Sequence, residues 1–220
     1  NLSAGYDILD NLTFKSTFGL STRNITRGIF QPSTLQVTAS GVGGRASISN
    51  ANRTNVLFEN YLTYTQEIGK GDLTVLGGLS YQQTVTEAFY SAGTGFLSDS
   101  FSYHALDKAT SILQPDSSYS EVEIQSQYGR INYDFDDRYL LTATVRRDGA
   151  SNFSANNKYA IFPSGAFGWR VSNEEFLKNN ETISNLKIRA SYGVTGNPSI
   201  SPYESLARLS SLYASRNGST

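Results

Sequence analysis

The chain contains 220 residues with a formal net charge of −1, so its composition gives no general attraction to nucleic-acid phosphates. Cysteine and methionine are absent and His104 is the single histidine, which excludes thiol catalysis, disulfide bridges and a Cys/His zinc site. No apolar run approaches the roughly 20 residues of a membrane helix, and the opening residues show no secretory signal. We expect no cofactor, no metal and no nucleic-acid partner.

Aromatic and small polar residues dominate the composition. The chain has 14 Tyr and 12 Phe beside abundant Gly, Ser, Thr and Asn, whereas Leu, Ile and Val are a minority. A soluble β-sandwich buries two inner faces in a shared core and needs stronger aliphatic strands. A membrane β-barrel needs only one apolar face per strand, so the composition favours transmembrane strands.

Three runs in the first part of the chain alternate between apolar and polar side chains, which is the period of a strand with one apolar face. The apolar positions are Leu12, Phe14, Phe18 and Leu20; then Val56, Phe58, Leu62, Tyr64 and Ile68; then Leu73, Val75, Leu79 and Tyr81. Only the tetrapeptide GKGD separates the second run from the third, which predicts a tight hairpin.

Four further runs complete the pattern. Their apolar positions are Ile131, Tyr133 and Phe135; Tyr139, Leu141, Ala143 and Val145; Ile161, Pro163, Phe167, Trp169 and Val171; and Leu186, Ile188, Ala190, Tyr192 and Val194. The short polar link Asp136-Asp137-Arg138 joins the first two of these runs. The sequence therefore predicts an all-β chain, an antiparallel meander of about seven transmembrane strands.

The predicted connections alternate in length. Residues 21–54, 82–123 and 146–160 are expected to be long loops, and the connections between them are short. Long outer loops and tight inner turns are typical of an outer-membrane barrel. In the last, medium connection, Ser172 stands three residues before Glu175, a capping box that predicts a short helix ending near Lys178.

The stretch RYLLTATVRRDGAS indicates where the membrane wall ends. Tyr139 is expected at the inner interface, Leu141 to Val145 cross the hydrocarbon, and the alternation stops at Arg146. Because consecutive strand residues point to opposite faces, a lumen-facing Arg146 places Arg147 outward, at the height of an anionic lipid surface.

The same alternation assigns side chains to two environments. We expect the lipid-facing residues to include Leu141, Ala143, Val145, Phe167, Trp169, Leu186, Ile188 and Tyr192. We expect the cations on the opposite face to contact a plug or line a substrate path: Lys15, Arg130, Arg146, Arg170, Lys187 and Arg189. Plug contact is favoured, because most inner-wall residues of a plugged barrel face protein.

Residues 122–203 contain two long and distinctive stretches, DRYLLTATVRRDGASNFSANNKYAIFPSGAFGWRVSNEEFL and ISNLKIRASYGVTGNPSISPY. This part of the chain resembles the SusC/RagA family of TonB-dependent outer-membrane transporters. The stretches NLTFKSTFGL and LFENYLTYTQEIGKGDLTVLGGLSYQ resemble upstream barrel strands of this family more loosely.

The resemblance implies a segment of a large outer-membrane β-barrel of about 22 strands. Members enclose an N-terminal plug, are energised by TonB, and import oligosaccharides or peptides together with a SusD-like surface lipoprotein. The sequence shows no plug, no TonB-contacting segment and no closing strand. We therefore expect residues 1–220 to be an internal segment of the barrel of a Gram-negative outer-membrane protein.

Five aromatic residues of the predicted loop 82–123 are candidates for stacking on sugar rings or docking the lipoprotein lid. They are Phe89, Tyr90, Phe96, Phe101 and Tyr103. Packing of the loop on itself or on the plug is the alternative role. No catalytic residue is expected, because His104 has no serine or carboxylate at a recognisable catalytic spacing.

Two other functions remain open from the residues alone. One is a passive porin or adhesin barrel, which has no energy coupling. The other is a soluble carbohydrate-binding β-sandwich, for which the loop aromatics are the best argument.

Overall fold

The computed structural model describes residues 1–35, 43–154, 157–177, 183–197 and 200–204. These residues form one antiparallel sheet of nine strands, in the order β1-β2-β3-β4-β6-β7-β8-β9, with β5 paired to β4. The strands are β1 (Leu2–Leu9), β2 (Leu12–Gln31), β3 (Arg45–Ile68), β4 (Gly71–Thr94), β5 (Ser111–Ile112), β6 (Asp116–Phe135), β7 (Tyr139–Ala150), β8 (Tyr159–Arg170) and β9 (Lys187–Gly193). The prediction of an antiparallel meander is confirmed.

Tight connections lie at one end of the sheet, which we call the turn end. Gly69 and Lys70 alone connect β3 to β4, as GKGD predicted, and Gly69 has a φ of 65°. In the link from β6 to β7, Asp136 and Asp137 have φ values of 54° and 51°. Positive φ at the centre of a tight turn matches the twist of the two flanking strands. The connections from β2 to β3, from β4 to β6 and from β7 to β8 lie at the opposite end, the loop end, whereas the long connection from β8 to β9 returns at the turn end.

The strand register divides the side chains between two faces, because directly paired residues point to the same side. We call them the apolar face and the polar face. The apolar face carries Phe14, Phe18, Leu62, Tyr64, Val75, Leu79, Ile131, Tyr133, Leu141, Val145, Phe167 and Ile188. The polar face carries Lys15, Glu59, Tyr61, Tyr128, Arg130, Arg146 and Asp148.

The described residues bury few large side chains. The buried apolar residues are Ala46, Ala92, Ala150 and Val171. On the apolar face, by contrast, Leu79, Val145 and Leu141 are 59%, 51% and 49% exposed. Every strand of the described residues belongs to the same sheet, so these residues form no two-sheet sandwich. The alternative of a β-sandwich fold is therefore wrong for the described residues.

The strands extend further than the sequence predicted. Much of the predicted loops 21–54 and 82–123 is strand, and β2 and β3 stay paired from Leu12 with Tyr64 to Gln31 with Arg45. Backbone ladders need no regular apolar face, so the pairing continues where the alternation of apolar and polar side chains stops. At 24 residues, β3 is about 80 Å long, well beyond the roughly 10 residues that cross a membrane.

Two further predictions need correction. The estimate of about seven strands omitted β1 and the short β5. The helix predicted from Ser172 is absent from the described residues, where Val171–Asn173 is a short 3-10 helix and Glu174 is extended. Its predicted end, Lys178, lies outside the described residues. Among the residues that the structure describes, no helix has the length and hydrophobicity needed to cross a membrane.

Candidate functional site

One row of paired residues crosses the polar face from β2 to β8. It joins Lys15, Tyr61, Gly78, Tyr128, Arg146 and Phe162. The Nζ atom of Lys15 lies 6.0 Å from the centre of the Tyr61 ring, and the guanidinium of Arg146 lies 5.7 Å from that of Tyr128. Two predicted cations are therefore both placed over aromatic rings in the same row.

Gly78 allows the centre of this row to form. A β-carbon added at Gly78 would lie 2.6 Å from Cζ of Tyr128, so the ring occupies the space above the glycine. Tyr128 thereby reaches across β4 and donates a 2.7 Å hydrogen bond to Oε1 of Glu59 on β3. A residue with a side chain at position 78 would displace the ring.

Arg146 is held by two partners. Its Nε lies 2.7 Å from Oδ1 of Asp148, and its Nη2 donates a 2.8 Å hydrogen bond to Oγ of Ser126. Ser126 is 1% exposed, whereas the Arg146 side chain is 45% exposed. The guanidinium is thus fixed in direction but still open to a polar surface or ligand.

We call Glu59, Ser126, Tyr128, Arg146 and Asp148 the polar-face network. Its two carboxylates and one guanidinium give it a net charge of −1, and it offers both hydrogen-bond donors and acceptors. The sequence predicted only Arg146 as a site residue. Ser126 and Tyr128 join it through the pairing of β6 with β7, and Asp148 lies two residues along β7. Glu59 joins only through the pairing of β4 with β6, which has no local sequence signal.

The remaining predicted cations also lie on the polar face. Arg130 donates a 3.2 Å hydrogen bond to Thr144. Arg170 is paired in register with Lys187, and Arg189 with Gly168. Arg170 forms ion pairs with Asp134 and Asp137 at the turn end. Arg170, Lys187 and Arg189 are therefore not part of the polar-face network.

The predicted lipid-facing residues of β7, β8 and β9 share the apolar face. In register, Tyr139 pairs with Trp169 and Trp169 with Ile188, while Leu141 pairs with Phe167. The others on this face are Ala143, Val145 and Tyr192. Leu186 lies one residue before β9 and accepts a hydrogen bond from the Ser172 amide through its carbonyl.

Two aromatic rows border the apolar face. The row at the turn end contains Phe135, Tyr139 and Trp169. The row towards the loop end contains Phe58, Tyr81 and Tyr159. The rows are ten residues apart along β8, from Tyr159 to Trp169, and a tilted strand covers about 25 Å over that length. This is the height of the apolar band of outer-membrane barrels.

A polar cluster at the turn end fixes the chain after β8. Oε1 of Glu174 accepts hydrogen bonds from the Tyr139 hydroxyl at 2.7 Å and from the Trp169 indole at 3.0 Å. Arg138 lies 3.2 Å from Oε2, and the Glu174 side chain is 12% exposed. The hydrogen bonds from Tyr139 and Trp169, with the charge of Arg138, lower the pKa of Glu174.

The five candidate aromatic residues have different surroundings. Phe89 and Tyr90 lie in β4 on opposite faces, so their predicted loop position is wrong. Phe96 packs edge-to-face on Phe30 of β2, with ring centres 6.1 Å apart. The Tyr103 ring lies against Gly28 of β2 and beside His104. Phe101 remains 64% exposed.

No metal site is formed by the described residues. Within those ranges, no group of three or more His, Cys, Asp or Glu side chains is placed to hold a metal ion. The aspartates at the turn end pair with arginines instead, Asp136 with Arg138 and Asp134 with Arg170.

Comparison with known proteins gives consistent matches. The family model "TonB dependent receptor-like, beta-barrel" matches residues 1–218. TonB-dependent receptor P3 of Formosa agariphila is 49% identical over 214 residues, which are 97% of this chain and 21% of that protein. TonB-dependent receptor SusC of Bacteroides thetaiotaomicron is 34% identical over 147 residues, 66% of this chain and 14% of that protein.

Solved structures agree with these relatives. The structure of the RagAB peptide transporter matches with a TM-score of 0.77 and 27% identity, over 90% of this chain and 22% of the matched chain. The "open-open" state of the RagAB peptide importer also gives a TM-score of 0.77. The chain spans about a fifth or less of the length of these relatives. It belongs to the TonB-dependent receptor family and forms part of the family's β-barrel.

Proposed function

We propose that the chain is part of the wall of an outer-membrane transporter of the SusC/RagA type. In this proposal the whole protein imports oligosaccharides or peptides, is energised by TonB, and works with a SusD-like surface lipoprotein. Support comes from the similarity to SusC and to a structure described as a peptide transporter. Residues 1–220 are then an internal barrel segment, and the chain performs no chemistry of its own.

The contrast between the two faces carries this proposal. Exposed apolar side chains fill one face between two aromatic rows about 25 Å apart, the spacing of a membrane-crossing barrel wall. The opposite face carries the polar-face network. We therefore assign the apolar face to lipid and the polar face to the barrel interior.

The polar-face network is assigned to the plug or to the substrate path. Arg146 is directed by Asp148 and Ser126 while almost half of its side chain stays exposed. Such a guanidinium suits the carbonyls and carboxylates of a plug, or the hydroxyl groups of a sugar. Lys15 and Arg130, on the same face, are given the same role.

The exposed rings near the loop end are proposed contacts for substrate or lid. Phe89, Tyr90 and Phe101 are 48%, 37% and 64% exposed. Exposed rings can stack on sugars or anchor a protein partner. Phe96 and Tyr103 lie beside them and pack against β2, which supports the shape of the loop.

Growth of the source bacterium tests the transport function. A strain that lacks the full-length gene is supplied with single oligosaccharides or peptides as its carbon source. We expect growth on one of these classes to be lost, to return with the wild-type gene, and to be lost again when TonB is inactivated. Growth that persists without TonB would favour a passive porin, and a soluble protein would contradict the membrane assignment.

The same growth assay tests the polar face when the charge of one of its residues is reversed. Arg146→Glu leaves three carboxylates together in the network, so we expect poor growth although the variant reaches the outer membrane. Lys70→Glu is the control, because Lys70 lies in the tight turn between β3 and β4 and outside both faces. Equal growth of both variants would contradict the role of the network.

A further inference from the structure

The apolar face contains a depression at two paired glycines. Gly77 on β4 and Gly129 on β6 lie directly opposite each other in register. A β-carbon added at Gly77 would meet no atom within 4 Å, and one at Gly129 would meet only the Leu76 carbonyl oxygen, at 3.8 Å. Contacts within the sheet therefore do not require glycine at either position, and the space above both is open.

The space above Gly129 is part of a shallow cavity of about 360 Å³ on the apolar face, which we call the glycine depression. Its lining residues are Gly78, Gln127, Tyr128, Gly129, Val145, Arg147 and Ile161. Val145 borders the depression beside Gly129, and Ile161 lies in the next row towards the loop end together with the polar groups Arg147 and Gln127. An apolar floor with polar groups at one end suits an amphipathic ligand.

Arg147 is the cation at that end. Its guanidinium lies 4.1 Å from the centre of the Tyr159 ring, and its Nη1 donates a 3.4 Å hydrogen bond to Gln127. Its side chain is exposed, and among the described residues it forms no ion pair. Tyr159 and Gln127 thus hold a positive charge that lacks an anionic partner in the described part of the chain.

The height of Arg147 matches a lipid head group. Arg147 lies eight residues from Tyr139 along β7, about 20 Å across the membrane for a tilted strand. The apolar band is about 25 Å high, so Arg147 reaches its outer edge while Gly129 lies one row deeper. The carboxylate of Glu123 is not a partner of Arg147. Glu123 lies on β6 four residues, or about 13 Å, from Gln127, and it accepts a hydrogen bond from Tyr81.

We propose that this surface binds one phosphate-bearing lipid of the outer leaflet. The lipid phosphate contacts the Arg147 guanidinium, which suits bidentate hydrogen bonding to phosphate. One acyl chain occupies the glycine depression between Val145 and Leu79. This inference rests on the proposed function, because it requires the apolar face to contact the membrane.

Native mass spectrometry of the full-length protein, purified in a mild detergent, tests the proposal. The probe is lipid A with its phosphates, compared with the same lipid A after enzymatic removal of the phosphates. We expect the wild-type protein to retain the phosphorylated lipid, with inorganic phosphate failing to compete. Arg147→Gln should weaken retention at least about tenfold, the effect of losing a charge-assisted contact.

The depression is tested by filling it. Gly129→Leu places a side chain in the depression, where an added β-carbon meets only the Leu76 carbonyl oxygen at 3.8 Å, so we expect a folded protein that retains less of the lipid. Gly165→Leu is the matched control on the same face, because Gly165 also has open space above it and does not line the depression. Arg53→Gln controls for the loss of one positive charge. Both controls should retain lipid as the wild type does.

The outcomes separate this inference from the proposed function. Equal retention by the wild type, Arg147→Gln and Gly129→Leu would overturn the lipid site, as would equal retention of the dephosphorylated lipid. If Gly129→Leu fails to fold, Arg147→Gln decides alone. If the full-length protein is absent from the outer membrane, the proposed function itself is refuted. If the protein transports but the two variants retain lipid as the wild type does, only the lipid site is refuted.

Discussion

Two adjacent glycines of β4 have opposite surroundings. Gly78 lies on the polar face under the Tyr128 ring, whereas Gly77 lies on the apolar face with no atom near its missing side chain. One glycine is therefore required by a contact within the wall and the other is not.

Gly78→Ala is expected to destabilise the barrel, and Gly77→Ala is not. The new methyl group at position 78 must push the Tyr128 ring aside, which breaks its hydrogen bond to Glu59. A hydrogen bond to a charged group contributes about 1.5–3 kcal/mol. The measurement is the temperature at which the full-length protein shifts from its folded to its unfolded band on a gel. Equal conversion temperatures for both variants would disprove the role of Gly78.

The Glu174 cluster predicts a dependence of stability on pH. Because the folded protein lowers the pKa of Glu174, this carboxylate stabilises the fold fully above its unfolded value of about 4.3. The contribution is lost as the pH falls below that value through the folded pKa. We therefore expect Glu174→Gln to unfold at a lower temperature than the wild type at pH 7.

The difference between Glu174→Gln and the wild type should narrow at pH 3, because this pH lies below the unfolded pKa of the carboxyl and part of its charge-dependent stabilisation is lost. Glu175→Gln is the matched control. Within the described residues the exposed Glu175 side chain forms no hydrogen bond or ion pair, so this variant should behave as the wild type at both pH values. A Glu174→Gln effect of equal size at pH 3 and pH 7 would show that its charge is not involved.

The free-energy cost of a charged side chain on the apolar face depends on where it lies between the two aromatic rows. Ile131 is paired with Ala143, near the middle of the band, whereas Ile161 is paired with Arg147 at its outer edge. Both side chains are at least half exposed in the isolated segment, so internal packing affects them little.

Ile131→Arg should therefore block assembly, while Ile161→Arg should be tolerated. An arginine on the lipid face costs about 2–4 kcal/mol at the midplane and about 0–1 kcal/mol near the interface. The measurement is the amount of heat-modifiable, full-length protein in the outer-membrane fraction. Normal assembly of Ile131→Arg would mean that this face does not meet lipid.

Alternation predicted the strands only where one face is apolar. It located β7 from Tyr139 to Val145 and placed Arg146 and Arg147 on opposite faces, as the register has them. It ended β2 near Leu20, because the regular alternation stops there and the backbone ladder continues past scattered apolar residues such as Ile25 and Ile29. Side-chain patterns carry no signal for such a ladder.

The position of Glu59 in the polar-face network was beyond prediction for a different reason. The tight turn at Gly69 and Lys70 fixes the register of β3 with β4, and the link at Asp136 fixes that of β6 with β7. Strands β4 and β6, however, are joined by the long connection between Thr94 and Asp116, which does not fix their register. The contact between Tyr128 and Glu59 depends on that pairing.

At the scale of the whole molecule, the described sheet has two open edges. Strands β1 and β9 each pair with only one neighbour among the described residues. Their outer edges present unpaired backbone N–H and C=O groups, which in a closed barrel pair with further strands. The exposed apolar face adds a second surface that needs cover.

Residues 1–220 expressed alone should therefore associate instead of folding as a monomer. Open edges in lipid or detergent leave backbone groups unsatisfied, and pairing between copies is the simplest way to satisfy them. The measurement is light scattering after size exclusion in detergent, with the full-length protein as the control that should elute as one defined species. A monomeric, cooperatively unfolding segment would show that the sheet satisfies its own edges, and it would remove the argument that this wall is stable only within the larger barrel.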